Sequence, residues 1–141
     1  MKPRARRKAR SLALQAIYQW QLNVDSVANI KMQFLDKINS NKVDSTYFNE
    51  LLDGVINNIE SIDQVIIPFL DRKIGGLDEV ELAVLRLAAF ELMQRIDVPY
   101  KAVINEALEL TKNFGSIEGY KYVNGILDKV ARQVRSFEIK S

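Results

Sequence analysis

Six of the first ten residues carry a positive charge, and the first acidic residue of the chain is Asp25. The other 14 Lys and Arg residues are outnumbered by 18 Asp and Glu residues, so the formal net charge of +2 conceals one strongly cationic end. A cluster of like charges repels itself and does not help a core to pack, whereas it attracts a polyanion. Because the guanidinium group of arginine fits phosphate, the basic end predicts binding to nucleic acid.

An aromatic ring accompanies these charges. In a helix that begins near Pro3, Tyr18 falls on the same face as Arg4 and Arg7, away from the apolar stripe. An exposed tyrosine stacks on an unpaired base, which favours single-stranded RNA over duplex DNA. The competing interpretation is a solvated basic terminus with no ligand.

A second cluster of aromatic and basic residues follows the Phe114-Gly115 turn and contains Tyr120, Lys121 and Tyr122. Aromatic residues at such a corner belong to a core more often than to a ligand platform. A stacking surface for bases therefore stays an open alternative at this corner.

The residue types exclude several kinds of chemistry. The chain has no cysteine and no histidine, which removes disulfides, thiolate catalysis, zinc fingers and Ser-His triads. It contains no glycine-rich phosphate loop, and its carboxylates have no metal-ligand spacing. We therefore expect a protein that is not an enzyme and holds no cofactor and no metal.

The targeting signals of secreted and membrane proteins are also missing. The apolar stretch after the basic end is interrupted by Gln15, Gln19 and Gln21, unlike a secretory signal. No apolar stretch approaches the roughly 18 residues of a membrane span. The expected location is the cytoplasm, and an organellar presequence is the less favoured alternative.

Helical periodicity runs through nearly the whole chain and predicts an all-α protein of about seven helices. The first helix should bury Ala9, Leu12, Ala13, Ala16, Ile17 and Trp20, and Asp44 and Asp78 should cap later helices. We expect one domain over residues 1–141. It should be made of two packed helical halves, 1–74 and 77–134, joined at Gly75-Gly76, with a flexible tail over 135–141.

Four segments carry a resemblance to a known family. They are RRKARSLALQAIYQWQLN near the start, VELAVLRLAAFEL in the middle, and VPYKAVINEALELTKNFG and YKYVNGILDKV in the second half. With these segments the chain resembles the NusB family of bacterial transcription antitermination factors along essentially its whole length. The resemblance implies an all-α fold of two helical subdomains.

The resemblance also implies a function. Proteins of this family bind the boxA element of nascent RNA as a heterodimer with the ribosomal protein NusE, within the antitermination complex on RNA polymerase at ribosomal RNA operons. By similarity, the RNA contacts would be Lys2, Arg4, Arg6, Arg7, Arg10, Tyr18, Phe114, Glu118, Lys121 and Tyr122. The NusE contacts would be Glu81 and Arg86.

Two other function classes remain as alternatives. One is a helical protein-interaction adaptor whose basic end binds polyanions without selectivity, and the other is an enzyme acting on RNA or nucleotides. The surface composition fits both a monomer and a homodimer of the free protein, so the oligomeric state stays open.

Overall fold

The computed structural model describes residues 3–23 and 25–139. Within these ranges all regular structure is helical, in eight α-helices and two short 3₁₀ segments, which confirms the predicted all-α class. The α-helices are α1 Pro3–Gln21, α2 Val27–Ile38, α3 Ser45–Asn57, α4 Ile59–Ile66, α5 Glu79–Gln94, α6 Tyr100–Phe114, α7 Ile117–Val134 and α8 Ser136–Ile139. The 3₁₀ segments are Ile67–Phe69 and Ile74–Gly76.

The chain divides between Asn57 and Asn58 into two compact units. The first unit holds α1 to α3 and the second holds α4 to α8. The sequence had placed a border at Gly75-Gly76, but these glycines lie inside the second unit. The reason is that α4, which precedes the glycines, packs against α5, which follows them.

A row of small side chains along α1 organises the first unit. Ala5, Ala9, Ala13 and Ala16 recur three or four residues apart and are buried. Short side chains let a neighbouring helix approach closely, and α3 packs against α1 with the largest contact in this unit. The buried residues of α3 are Tyr47, Phe48, Leu51, Leu52 and Val55.

Two members of the predicted apolar stripe of α1, Leu12 and Trp20, are partly exposed, and Leu14 is buried in addition to Ala13. The buried stripe of α1 is therefore rotated slightly away from the predicted one, because α3 contacts this helix more extensively than α2 does.

Side-chain caps start α3 and α5. The Asp44 carboxylate accepts a 3.0 Å hydrogen bond from the Tyr47 N–H at the start of α3. The Asp78 carboxylate accepts 3.0 Å hydrogen bonds from the N–H groups of Val80 and Glu81 at the start of α5. Both capping residues agree with the sequence prediction, since a short acceptor side chain satisfies the free N–H groups of a first turn.

Helix α5 is the centre of the second unit. It packs against α4, α6 and α7, and its buried residues occupy every side of the helix over Leu82–Leu92. A helix that is apolar all round must be enclosed by neighbours. The end of such a helix then needs partners for carbonyl groups that water does not reach.

A buried arginine supplies those partners. The side chain of Arg135 is 0% exposed, its Nε donates to the Leu92 carbonyl at 2.7 Å, and an Nη donates to the Arg95 carbonyl at 2.8 Å. Its other Nη donates to Glu138 at 2.5 Å. The second carboxylate oxygen of Glu138 accepts a 2.9 Å hydrogen bond from the Tyr100 N–H at the start of α6. One ion pair thus caps the end of α5 and the start of α6.

The sequence predicts a flexible tail over residues 135–141, of which 140–141 lie outside the described residues. In the described part, Arg135 is fully buried and Ser136–Ile139 forms α8. The Tyr100 N–H and the Arg135 guanidinium hold the pKa of Glu138 below its ordinary value. A lowered pKa means that the stabilisation by Glu138 is present at neutral pH and is lost as the pH falls through that pKa.

We expect Arg135→Met to lower the free energy of unfolding by about 3–5 kcal/mol, because it leaves buried carbonyl groups without donors. Urea denaturation followed by circular dichroism measures this change. Arg132→Met is the matched control, since Arg132 pairs with Asp128 at an exposed i,i+4 position. Equal losses in both variants would contradict the capping role of Arg135.

Candidate nucleic-acid interface

The basic residues of α1 separate into two sets. Arg4, Arg7 and Lys8 are exposed. Their side chains line a groove in the first unit. Lys8 was missing from the predicted contacts, although it lies within the basic run. Lys2, which was among those contacts, lies outside the described residues.

The second set packs on an aromatic ring. The guanidinium carbon of Arg6 lies 4.4 Å from the centroid of the Tyr47 ring, and that of Arg10 lies 5.3 Å from it. Arg10 is only 6% exposed. These two arginines, predicted to contact RNA, therefore also join α1 to α3 through cation–π contacts.

Tyr18 continues the exposed face. At about 100° per residue, Tyr18 lies within roughly 40° of Arg4 and Arg7 around the helix axis, and 80° to 120° from Arg10 and Arg6. Its ring is partly exposed. An extended ligand on this face would therefore meet Arg4 and Arg7 before it reached Tyr18, three turns further along the helix.

Exposed apolar groups mark the corner between α6 and α7. Phe114 and Tyr120 are both exposed, and Ile117 is 80% exposed. The Ser116 hydroxyl fixes this corner by accepting a 3.0 Å hydrogen bond from the Gly119 N–H. A shallow pocket of about 290 Å³ opens here, between Lys112 and Tyr120. The predicted residue Phe114 therefore lies at the surface of this corner, and its role as a ligand platform remains a prediction.

Three other predicted residues of this corner differ in their exposure to solvent. Glu118 and Lys121 are exposed, as a ligand contact requires, while Tyr122 is partly buried. The sequence did not single out Ile117. The sequence offered one indication that Ile117 is exposed: it directly follows the helix cap Ser116 and lies outside the buried stripe of α7.

Tyr122 is held by two residues that the sequence did not indicate. Its hydroxyl donates a 2.8 Å hydrogen bond to Asp71, and the guanidinium carbon of Arg72 lies 5.1 Å from the centroid of its ring. Arg72 also donates to both carboxylate oxygens of Asp71, at 2.7 and 3.0 Å. The ring of Tyr122 is therefore fixed at its hydroxyl and along one face.

These contacts change the acidity of the groups involved. The hydrogen bonds from Arg72 and from Tyr122 lower the pKa of Asp71 to about 2. Burial, followed by the hydrogen bond to Asp71, raises the pKa of the Tyr122 hydroxyl. At neutral pH the cluster therefore contains a carboxylate, a guanidinium and a neutral phenol.

Glu81 lies at the junction of α5 and α7. A Cβ atom at Gly119 would stand 2.6 Å from Oε2 of Glu81, so glycine is needed there unless the carboxylate moves. Burial raises the pKa of Glu81, and the Asp78 carboxylate raises it further. Glu81 therefore lies directly beside the corner that carries Glu118, and its predicted contact with a partner protein remains a prediction.

Arg86 has a partner inside the second unit. Its Nε and one Nη donate to the two carboxylate oxygens of Asp63 at 3.0 and 2.9 Å. The two side chains are only 12% and 19% exposed. This paired fork joins α5 to α4 and gives Arg86 a structural role that the sequence prediction did not include.

In the described part of the chain, no group of three or more Asp or Glu side chains could hold a metal ion. Across residues 3–23 and 25–139, no helix has the length and hydropathy needed to cross a bilayer.

The chain matches the family model described as the NusB family over residues 7–132. It is 56% identical over 135 residues to the transcription antitermination protein NusB of Idiomarina loihiensis, covering 96% of this chain and 97% of that protein. It is 53% identical over 136 residues to the NusB of Alcanivorax borkumensis, covering 96% of this chain and 91% of that protein.

Solved structures agree with this match. T. maritima NusB superposes with a TM-score of 0.84 and 29% identity, over 96% of this chain and 97% of that one. A chain from a crystal structure of the antitermination factors NusB and NusE in complex with double-stranded RNA superposes with a TM-score of 0.84 and 27% identity. That superposition covers 94% of this chain and 99% of the other.

We expect Arg86→Ala to destabilise the protein by about 2–4 kcal/mol, because it leaves the carboxylate of Asp63 nearly buried and unpaired. A double-mutant cycle with Asp63→Ala, measured by urea denaturation, isolates the pair. The double variant should lose little more stability than Arg86→Ala alone. Additive losses would mean that the two residues do not stabilise each other.

We expect the pKa of the Asp71 carboxyl to be about 2 in the wild type and to rise toward its ordinary 3.8 in Arg72→Ala while staying below it, because the guanidinium is the largest cause of the lowered pKa and the Tyr122 hydrogen bond remains. Carbon-detected NMR of the carboxyl group measures both values. Tyr122→Phe should raise the pKa less, since the phenol is the second contribution. An unchanged pKa of Asp71 in Arg72→Ala would contradict the role of the two hydrogen bonds from Arg72.

Proposed function

The chain belongs to the NusB family, and from this premise we propose that it is a transcription antitermination protein that binds boxA RNA together with NusE. It acts as a non-enzymatic adaptor in the cytoplasm. Its targets are the transcripts of ribosomal RNA operons, where it helps to assemble the antitermination complex on RNA polymerase.

The observation that carries the proposal is the exposed face of α1. Arg4, Arg7 and Lys8 are available to solvent on a helix whose other side is buried, so their backbone positions are fixed before a ligand arrives. Guanidinium and ammonium groups neutralise phosphates, and Tyr18 on the same face provides a ring for an unpaired base. This combination favours a single strand over a duplex.

The corner between α6 and α7 gives a second set of RNA contacts. Phe114 offers an exposed ring, and Lys121 offers a phosphate ligand. Glu118 repels phosphate, so its role in this proposal is to accept a hydrogen bond from the amino group of a base. Tyr122, held by Asp71 and Arg72, presents a ring in a defined orientation.

The partner NusE enters the proposal through the family and through the related NusB–NusE–RNA structure. Glu81 is the proposed direct contact, since its carboxylate lies at the surface junction of α5 and α7. Arg86 contributes by holding α5 against α4 through Asp63. Both residues belong to the second unit.

We expect the protein to bind a boxA-containing single strand more tightly than a scrambled one, and NusE to strengthen that preference. With about five phosphates neutralised, the logarithm of the affinity should fall with the logarithm of salt concentration with a slope of roughly −3.5. Fluorescence anisotropy with labelled RNA measures both quantities, and a matched duplex tests the strand preference.

Two outcomes would contradict this function. Equal affinity for both strands, unaffected by NusE, would leave only a non-selective polyanion surface, which is the adaptor alternative. A salt slope near zero would rule out phosphate neutralisation as the basis of binding.

A further inference from the structure

A groove of about 700 Å³ lies in the first unit, along the exposed face of α1. One wall carries Arg4, Arg7 and Lys8 of α1. The opposite wall is formed by the end of α2 and the segment that leads to α3, and it contributes Lys37 and Lys42. Neither of these lysines was among the residues that the sequence or the family resemblance indicated.

The segment that carries Lys42 is fixed in place. The Asp44 N–H donates a 3.1 Å hydrogen bond to the carbonyl of Ala5 in α1, and the carboxylate of Asp44 caps α3. Val43 between them is buried. The second wall is therefore attached to the first beside Arg4, and the groove exists before any ligand binds, which reduces the entropy cost of binding.

The lysine at the end of α2 is also supported. The ammonium group of Lys37 lies 5.5 Å from the centroid of the Phe34 ring, and that ring is buried against Phe48 with centroids 5.9 Å apart. The contact draws the Lys37 stem toward the helix surface. Lys37 nevertheless lines the groove.

Charge and length together identify the occupant. Five cationic side chains line the groove and Asp36 is its single acidic residue, so a polyanion fits it. The α1 wall extends from Arg4 to Gln15, which is about 16 Å along the helix axis at 1.5 Å per residue. Cations on both walls of a groove this long suit a chain of phosphates, whereas one small anion needs converging donors.

We propose that this groove holds the phosphate backbone of the bound RNA, with Lys37 and Lys42 as phosphate ligands on the wall opposite α1. The inference rests on the proposed RNA-binding function and adds to it a path for the strand. The RNA lies between α1 and the segment from Asp36 to Val43, on the side of α1 away from the ring of Tyr47. Asp36 opposes the phosphates and limits the affinity.

The test compares three variants of the full chain by anisotropy with boxA-containing RNA, with and without NusE. In Lys37→Gln/Lys42→Gln we expect the affinity to fall by about tenfold and the salt slope to shrink by about 1.4, because two phosphate contacts are lost. The control Lys101→Gln/Lys129→Gln removes two exposed lysines of α6 and α7. Its affinity and its salt slope should both stay at the wild-type values. Melting temperatures establish that each variant is folded.

Asp36→Asn provides a gain of affinity, which a damaged fold cannot produce. We expect this variant to bind the RNA several-fold more tightly than the wild type, most clearly at low salt. Unchanged binding in both Asp36→Asn and the Lys37/Lys42 variant would overturn the groove proposal.

The outcomes also separate this proposal from the proposed function. If wild-type protein shows boxA-selective binding but both the Lys37/Lys42 variant and Asp36→Asn equal it, only the groove is excluded. If the wild type shows no boxA-selective binding at all, the proposed function is wrong, and the groove proposal that rests on it is wrong as well. If the double variant keeps its RNA affinity and loses affinity for NusE, the groove takes an acidic protein surface and the RNA path is wrong.

Discussion

The stacking of two guanidinium groups over one buried tyrosine is the contact on which the basic helix depends. Five cationic residues near the start of α1 repel each other, and this repulsion opposes the packing of the helix. Tyr47 resolves this conflict, because the electron-rich face of its ring accepts Arg6 and Arg10 while their helix buries its alanines against α3. The remaining cations are then rotated toward solvent, where a ligand can reach them.

Arginine also packs on an aromatic ring at Tyr122, in the second unit. A chain without histidine or cysteine has rings and charges, rather than imidazole or thiol groups, with which to select a ligand. Arg72 and Asp71 fix the ring of Tyr122 from outside its own helix. Binding that depends on stacking benefits from such fixed rings, since little side-chain entropy is lost when a base arrives.

The sequence predicts interactions between residues that are close in the chain, but not those between residues that are far apart in it. Asp44 and Asp78 were identified as caps because a cap and the N–H groups that it binds are at most three residues apart. Arg135 was assigned to a flexible tail because its carbonyl partners lie some 40 residues earlier in the chain. The candidate site divides in the same way. Periodicity placed Tyr18 with Arg4 and Arg7, but nothing in the sequence indicated that Arg72 would lie on Tyr122 or that the segment around Lys42 would return to α1.

The capping of α5 by Arg135 also bears on the order in which the protein is completed during synthesis. The carbonyl of Leu92 must wait for an arginine that is translated 43 residues later, which takes about 2 to 9 seconds at 5–20 residues per second. The first unit has no such dependence in its described contacts, since its helices are complete by Asn57. A nascent chain can therefore carry a finished basic helix, with Arg4, Arg7 and Lys8 already exposed, while the end of α5 still lacks its cap.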